Sequence, residues 1–153
     1  MDGVLLLVVC ACFALSRAAN FTVGQTFQIV LSNILDMSQP LTPNAAVWDI
    51  DLWDNDIATM SALKAMGKIV VCYFSAGTYE DWRSDASQFV SQDLGLGLAL
   101  WPGERWLNIS SPRVRAIMTS RIQLAKSKGC DAIDPDNTGI FGGRRCQNFS
   151  QIR

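Results

Sequence analysis

The sequence predicts an α/β fold built on a parallel sheet, and three observations carry that prediction. Several short segments are near-continuous apolar runs, as in parallel strands covered on both faces. Two amphipathic helices lie between them. Both helices close in the same way, with Lys, then Gly, then a strand (ALKAMGKIVVCYF and LAKSKGCDAIDPD). That is the helix-to-strand half of a repeated βα unit. No glycine-rich phosphate loop follows the first strand, so a nucleotide-binding sheet has little support. A (β/α)8 barrel of the TIM type is favoured. Such barrels take about 250 residues, and the chain has 153, so only the N-terminal half is expected here.

The elements follow in order. The N-terminus, MDGVLLLVVCACFALSRAAN, carries an apolar run from Val4 to Leu15. It is too short to span a bilayer and suits a signal-peptide core. Small residues at Ser16 and Ala18 suit cleavage, giving a leader over 1–18 and a mature domain over 19–153. Against this, the stretch before the run holds Asp2 and no Lys or Arg; a buried strand or helix is the other reading. Acceptor sequons at Asn20, Asn108 and Asn148 favour secretion and a glycoprotein. No membrane attachment is expected once the leader is gone.

Strands are expected at Thr26–Leu31, Ala46–Leu52, Lys68–Ser75, Arg105–Ile109 and Cys130–Pro135. The first helix starts after a cap at Asn55 or Asp56, buries Ile57, Met60, Leu63 and Met66, and stops at Gly67. The second has Ser111 as cap and Pro112 at its first position. Val114, Ile117, Met118, Ile122 and Ala125 form its inner face, and Gly129 ends it. A weaker helix is expected over Ser84–Leu94. After leader removal Cys72, Cys130 and Cys146 remain. Cys130 with Cys146 is one candidate bridge, and Cys72 reads as a small buried hydrophobe.

Composition narrows the function. Net charge is −1, hydrophobic residues are 49% and charged ones 18%. Without a basic block, nucleic acid is not the expected partner. There is no histidine, which removes Ser-His-Asp and Cys-His catalysis and most catalytic zinc sites. Ser75 therefore has no base to activate it, and G-x-S-x-G is absent. No cofactor or metal is expected.

The chemistry-bearing stretch is G-C-D-A-I-D-P-D-N at 129–137. Side chains alternate along a strand, so Asp134 and Asp136 share a face. Pro135 cannot donate to a neighbouring strand, so the ladder should end there. That puts both acids at the C-terminal end of a strand, where βα barrels hold their active sites. The plainer reading is that Asp136 and Asn137 begin a turn. W-D-I-D-L-W-D-N-D at 48–56 repeats the theme, with Asp49 and Asp51 on one face and Asp56 as a helix cap. In C-Y-F-S-A-G-T-Y-E-D-W-R at 72–83, Tyr73 and Ser75 share a face and Gly77 permits a sharp turn. W-P-G-E-R-W follows at 101–106. Tryptophans near carboxylates suit a sugar, whose apolar face stacks on rings while acids bind its hydroxyls. Trp48 and Trp106 read as core; Trp82 and Trp101 fall in expected loops.

These motifs, in this order, resemble glycoside hydrolase family 114, the endo-α-1,4-polygalactosaminidase-like group of (β/α)8 barrels related to α-galactosidase-type barrels. The likeness runs from about Phe27 to Asn137. It implies a secreted, extracellular hydrolase that cleaves α-galactosaminyl or α-galactosyl linkages in a polysaccharide with two acids on the barrel rim. It implies that Asp136 is the nucleophile or its equivalent, with Asp134 in the neighbouring acidic position. Asp51, Tyr73, Ser75, Glu80, Trp82, Glu104 and Asn137 would line the substrate groove. The second catalytic acid would be a glutamate on a later strand, to which no residue before Arg153 corresponds. Asp134 and Asp136 lie about 6.6 Å apart at Cα. They approach from one side of the sugar, whereas a glycosidase pair flanks the scissile bond. One catalytic acid and one binding or pKa-tuning acid is therefore the expectation. Acids converging from Asp51, Glu80, Glu104, Asp134 and Asp136 would attract a cationic galactosaminan. The isolated chain is expected to be inactive. A non-catalytic secreted carbohydrate-binding protein, an inactive fragment and a purely structural secreted domain are the alternatives.

Overall fold

The computed structural model describes residues 19–138. The leader at 1–18, Cys10, Cys12, Cys146 and the sequon at Asn148 lie outside the described residues.

Four strands form a wholly parallel sheet: β1 (Phe27–Val30), β2 (Val47–Asp51), β3 (Ile69–Ser75) and β7 (Ala132–Asp136), in that spatial order. Helix α1 (Ile57–Ala65) connects β2 to β3. Asp56 caps it, its carboxylate accepting from the Thr59 N–H at 2.8 Å. Helix α2 (Pro112–Lys128) leads into β7, with Pro112 at its first turn. Gly67 (φ 73°) and Gly129 (φ 87°) end the two helices in the left-handed region, where a Cβ would be strained.

The expected strand at Arg105–Ile109 does not join this sheet. It is β6 (Trp101–Leu107), the centre of a separate antiparallel sheet with β4 (Thr78–Glu80) and β5 (Leu94–Leu98). This hairpin layer is inserted between β3 and α2. The helix expected over Ser84–Leu94 is instead two short 3-10 turns, Ala86–Gln88 and Ser91–Asp93. Asp93 explains part of this: its carboxylate accepts from the Val90 N–H at 3.1 Å and the Ser111 hydroxyl at 2.7 Å. Such local side-chain bonds compete with helix propagation.

Both helices pack on one face of the parallel sheet. Met60, Leu63 and Ala125 meet Trp48, Ile50, Val70, Cys72 and Phe74 in the main core. The first half of α2 serves a second core, in which Val114 and Ile117 pack with Phe89 and Leu107 of the insertion. The expected helix faces need correction. Ile57, Met66 and Ile122 are exposed, while Thr59 and Arg121 are buried. Ile57 opens the nine-residue helix and Met66 is its C-cap, beyond the central turns whose Met60 and Leu63 are buried. Arg121 turns inward because partners await it there.

Cysteine pairing differs as well. Cys72 of β3 is bonded to Cys130, just before β7. The bridge closes a separation of 58 residues and fastens two neighbouring strands. Closing so long a loop restricts the unfolded chain. Replacing both cysteines by alanine should cost about 2–4 kcal/mol, read as a lowered urea midpoint against the oxidised parent.

Candidate functional site

The register of the parallel sheet builds the site. Asp51 lies beside Tyr73, Tyr73 beside Asp134, and Ser75 beside Asp136. Neighbours in register point to the same side. Asp49, Asp51, Tyr73, Ser75, Asp134 and Asp136 thus share the face turned away from the helices. Toward β1 the same face presents exposed Phe27 and Ile29.

Asp136 stands at the very end of β7 and is held by two neighbours. The Tyr73 hydroxyl donates to its Oδ2 at 3.0 Å, and the Asn137 backbone N–H donates to its Oδ1 at 2.6 Å. Burial first, then the bond to Asp136, raises the Tyr73 pKa; the charges of Asp136, Glu80 and Glu104 add to this. The phenol therefore stays protonated and remains a donor. Asn137 has φ 61°, a left-handed conformation that Asn tolerates better than most residues. Its carboxamide donates to the Ser75 hydroxyl at 3.0 Å. Ser75 and Thr78 share a 2.5 Å hydrogen bond, and the Thr78 hydroxyl donates to Glu104 Oε2 at 2.8 Å. A continuous polar chain thus joins Tyr73, Asp136, Asn137, Ser75, Thr78 and Glu104. Gly77 lets it close: a Cβ there would land on the Asn137 carbonyl.

Asp51 and Glu80 have a different setting. Both are buried, and both bind Arg83. Arg83 donates from Nη1 and Nη2 to Asp51 at 3.0 and 2.7 Å, and from Nε and Nη2 to Glu80 at 3.0 Å each. Asp51 Oδ1 also caps the following turn through the Trp53 and Asp54 N–H groups. Arg121 reaches in from α2, donating to both Asp85 oxygens at 2.8 and 2.9 Å and to the Ser75 carbonyl at 2.6 Å. The Trp53 ring contacts both guanidinium groups, 4.6 Å from Arg83 and 4.9 Å from Arg121. Glu80 and Glu104 are direct cross-strand neighbours, an unfavourable like-charge pair that Arg83 offsets. Burial nonetheless raises the Glu80 pKa, opposed by Arg83. Three carboxylates against two guanidinium groups nearly neutralise each other here. The open acids on this rim are Asp134, Asp136 and Glu104.

Asp134 is half-buried and has Asp49 as its acidic neighbour. Trp82 is exposed in the loop after β4, with its ring edge over Gly103, and Trp101 is exposed at the start of β6. Asn20 is exposed; Asn108 is half-buried, its side chain accepting from the Ser110 N–H. Among the described residues, no group of three His, Cys, Asp or Glu side chains converges on a metal-sized site. None of their helices is long and apolar enough to cross a membrane.

The family follows from comparison. A model described as Glycoside-hydrolase family GH114 matches residues 11–152. The chain belongs to that family. It is 50% identical to Ega3 of Aspergillus fumigatus, whose crystal structure is a complex with galactosamine. The superposition has a TM-score of 0.72 and covers 75% of this chain and 45% of that one. The glycoside hydrolase domain of PelA from Pseudomonas aeruginosa shares the fold at 14% identity. There the TM-score is 0.59, with 73% of this chain and 44% of that domain covered. The GH114 chain thus spans less than half the length of either structure. No curated protein sequence matches it.

Sequence reasoning missed Thr78, Asp85, Arg83 and Arg121, and noted Asp49 only for its face. Two of these left a trace. Arg83 closes the 72–83 motif three residues after Glu80, and Arg121 occupies an inward position, with spacing 114, 117, 121, 125. A cation at an apolar position of a helix signals a buried partner. Removing one side of a buried ion pair is strongly destabilising. Arg83→Met should lower stability by about 3–5 kcal/mol in a denaturant titration, with Arg83→Lys recovering part of the loss.

Proposed function

We propose that this chain is the sugar-gripping half of a (β/α)8-type glycoside hydrolase acting on galactosamine-containing polysaccharide. The observation that carries the reading is Asp136. Its carboxylate stands at the C-terminal end of a parallel strand, braced by Tyr73 and Asn137, in a GH114 chain half identical to a protein crystallised with galactosamine. Four parallel strands in sequential order, with helices on one face and acids on the other, suit half of an eight-stranded barrel.

In this reading Asp136 is the catalytic carboxylate. The Tyr73 hydroxyl and the Asn137 N–H hold it at the rim. Asp134, on the same face, binds the sugar and tunes the charge beside it. Glu104, tied to Asp136 through Thr78, Ser75 and Asn137, lines the groove. Trp82 supplies an exposed ring for the apolar face of a sugar. Asp51 and Glu80 act from behind: clamped on Arg83, they shape the groove and keep Tyr73 in place. The second acid of a two-carboxylate mechanism is supplied from outside the residues assigned here. A cationic galactosaminan would meet the open acids Asp134, Asp136 and Glu104 and bind more weakly as salt rises.

The mature domain is proposed to begin at residue 19, after a leader over 1–18, and to act outside the cell. The Cys72–Cys130 bridge suits an oxidising compartment, and exposed Asn20 is open to glycosylation.

In the barrel protein that carries this half, Asp136→Asn should lower hydrolysis by about 10²–10⁴-fold while leaving oligosaccharide binding intact. Reducing-end release from galactosamine oligomers, run beside a binding assay, checks both. Near-normal turnover removes Asp136 from catalysis, and binding without cleavage by the unmodified barrel marks a carbohydrate-binding protein instead.

A further inference from the structure

We propose that Asp49 is a positioning residue for the acids of β7: it holds a proton and donates it to Asp134 in a carboxyl–carboxylate hydrogen bond. The pairing stands on the burial of Asp49, its orphaned oxygen and the face it shares with Asp134, and its bearing on sugar binding rests on the function proposed above.

Asp49 sits in the middle of β2, in register with Ile29 of β1 and Val71 of β3. Only 7% of it is exposed. Among the described residues, its Oδ1 is the buried side-chain polar atom that lacks a hydrogen-bond partner. Its acidic neighbour on the same face is Asp134, across β3 and two residues further along the register. Two ionised carboxylates are acceptors only, so neither can satisfy the other. An unpaired buried charge is costly, and a buried group answers by taking up a proton. One proton between the two carboxyls satisfies the orphaned oxygen and turns a repulsion into a short charge-assisted bond.

Among the described residues, no cation competes for the role. On this face β1 presents Phe27 and Ile29. β2 adds Asp51, already bound to Arg83. β3 adds Val71 and Tyr73, and the Tyr73 hydroxyl is given to Asp136. β7 adds Ala132, Asp134 and Asp136. Arg83 and Arg121 are spent on Asp51, Glu80 and Asp85. Asp49 lies deeper than half-buried Asp134, so the proton belongs on Asp49. Burial, followed by the bond and the charge of Asp134, pushes its pKa up to about 7. Asp134 then accepts that bond and is oriented by it, two residues before Asp136. An ammonium group docking at Asp134 would weaken that hold, so binding of an amino sugar near neutral pH should expel the proton.

The sign of the stability effect follows from linkage. The folded chain holds this proton more tightly than the unfolded one. The stabilisation is complete below the ordinary Asp pKa of about 4 and is lost as pH rises through about 7. Glu80, also raised by burial, contributes to the same decline, so the comparison must be between variants. Asp49→Asn keeps the shape and supplies a permanent N–H donor. The urea midpoint of the chain is expected to fall between pH about 5 and about 8, and to fall less in Asp49→Asn. Equal slopes in the two proteins overturn the proposal. Carbon-13 NMR of the side-chain carboxyls gives a second reading. A step near neutral pH should vanish in Asp49→Asn. In Asp134→Asn, whose amide can donate to ionised Asp49, it should move down toward the ordinary carboxylate range. A step that stays in place in Asp134→Asn overturns the pairing even if Asp49→Asn does not fold. Calorimetry with galactosamine oligomers in buffers of different ionisation enthalpy should show proton release by the parent and none by Asp49→Asn. Failure of the oligomers to bind, with the carboxyl step intact, sinks the proposed function and leaves the pairing standing.

Discussion

Because side chains alternate along a strand, the register that sets Asp51 beside Tyr73 and Tyr73 beside Asp134 divides the molecule in two. One face of the parallel sheet receives Trp48, Ile50, Val70, Cys72 and Phe74 and the two helices. The other receives every acid of the β2 and β7 strands. A slip of one residue would drive Asp49 and Asp134 into the helix-facing core and turn Ile50 and Ile133 outward. The apolar face thus holds the acids in place: they stand where they do because their neighbours in sequence are buried.

The inserted hairpin layer is coupled to this sheet by charge rather than by apolar contact alone. Arg83 joins Asp51 at the end of β2 to Glu80 on β4. Arg121 joins α2 to Asp85 and to the last carbonyl of β3. Trp53 packs its ring against both guanidinium groups. Such a cluster adds little net energy against an apolar alternative. It does fix geometry, since bidentate arginine bonds tolerate few orientations. Through Glu80 and its partner Glu104 the cluster sets the wall against which Tyr73 and Asp136 lie.

The carboxylates of one rim therefore live in three environments. Asp51 and Glu80 are matched by arginine. Asp136 is braced by neutral donors and remains open. Asp49 and Asp134 share a face with no cation beside them among the described residues. Environments that push acids of one type apart in pKa are how a single surface assigns them different tasks. In the proposed sugar site this separates acids that shape the groove, an acid that reacts and a pair that senses charge.

Much of this was legible in the amino-acid sequence. Apolar runs, the Asp56 and Pro112 starts and the Gly67 and Gly129 stops announce the βα repeats, because capping and backbone sterics act over a few residues. Alternation placed Asp134 with Asp136, and Tyr73 with Ser75, for the same local reason. What lay beyond it depends on contacts distant in the chain. Trp101–Leu107 became antiparallel because its partners at 78–80 and 94–98 offered a second edge. Cys72 found Cys130 through the pairing of β3 with β7, and Ile122 yielded the inner face of α2 to Arg121 because Asp85 and the Ser75 carbonyl were waiting. Which acids are neutralised, braced or left facing one another was decided by the tertiary structure alone, since a carboxyl group's charge answers to whatever folding brings within a few ångströms of it.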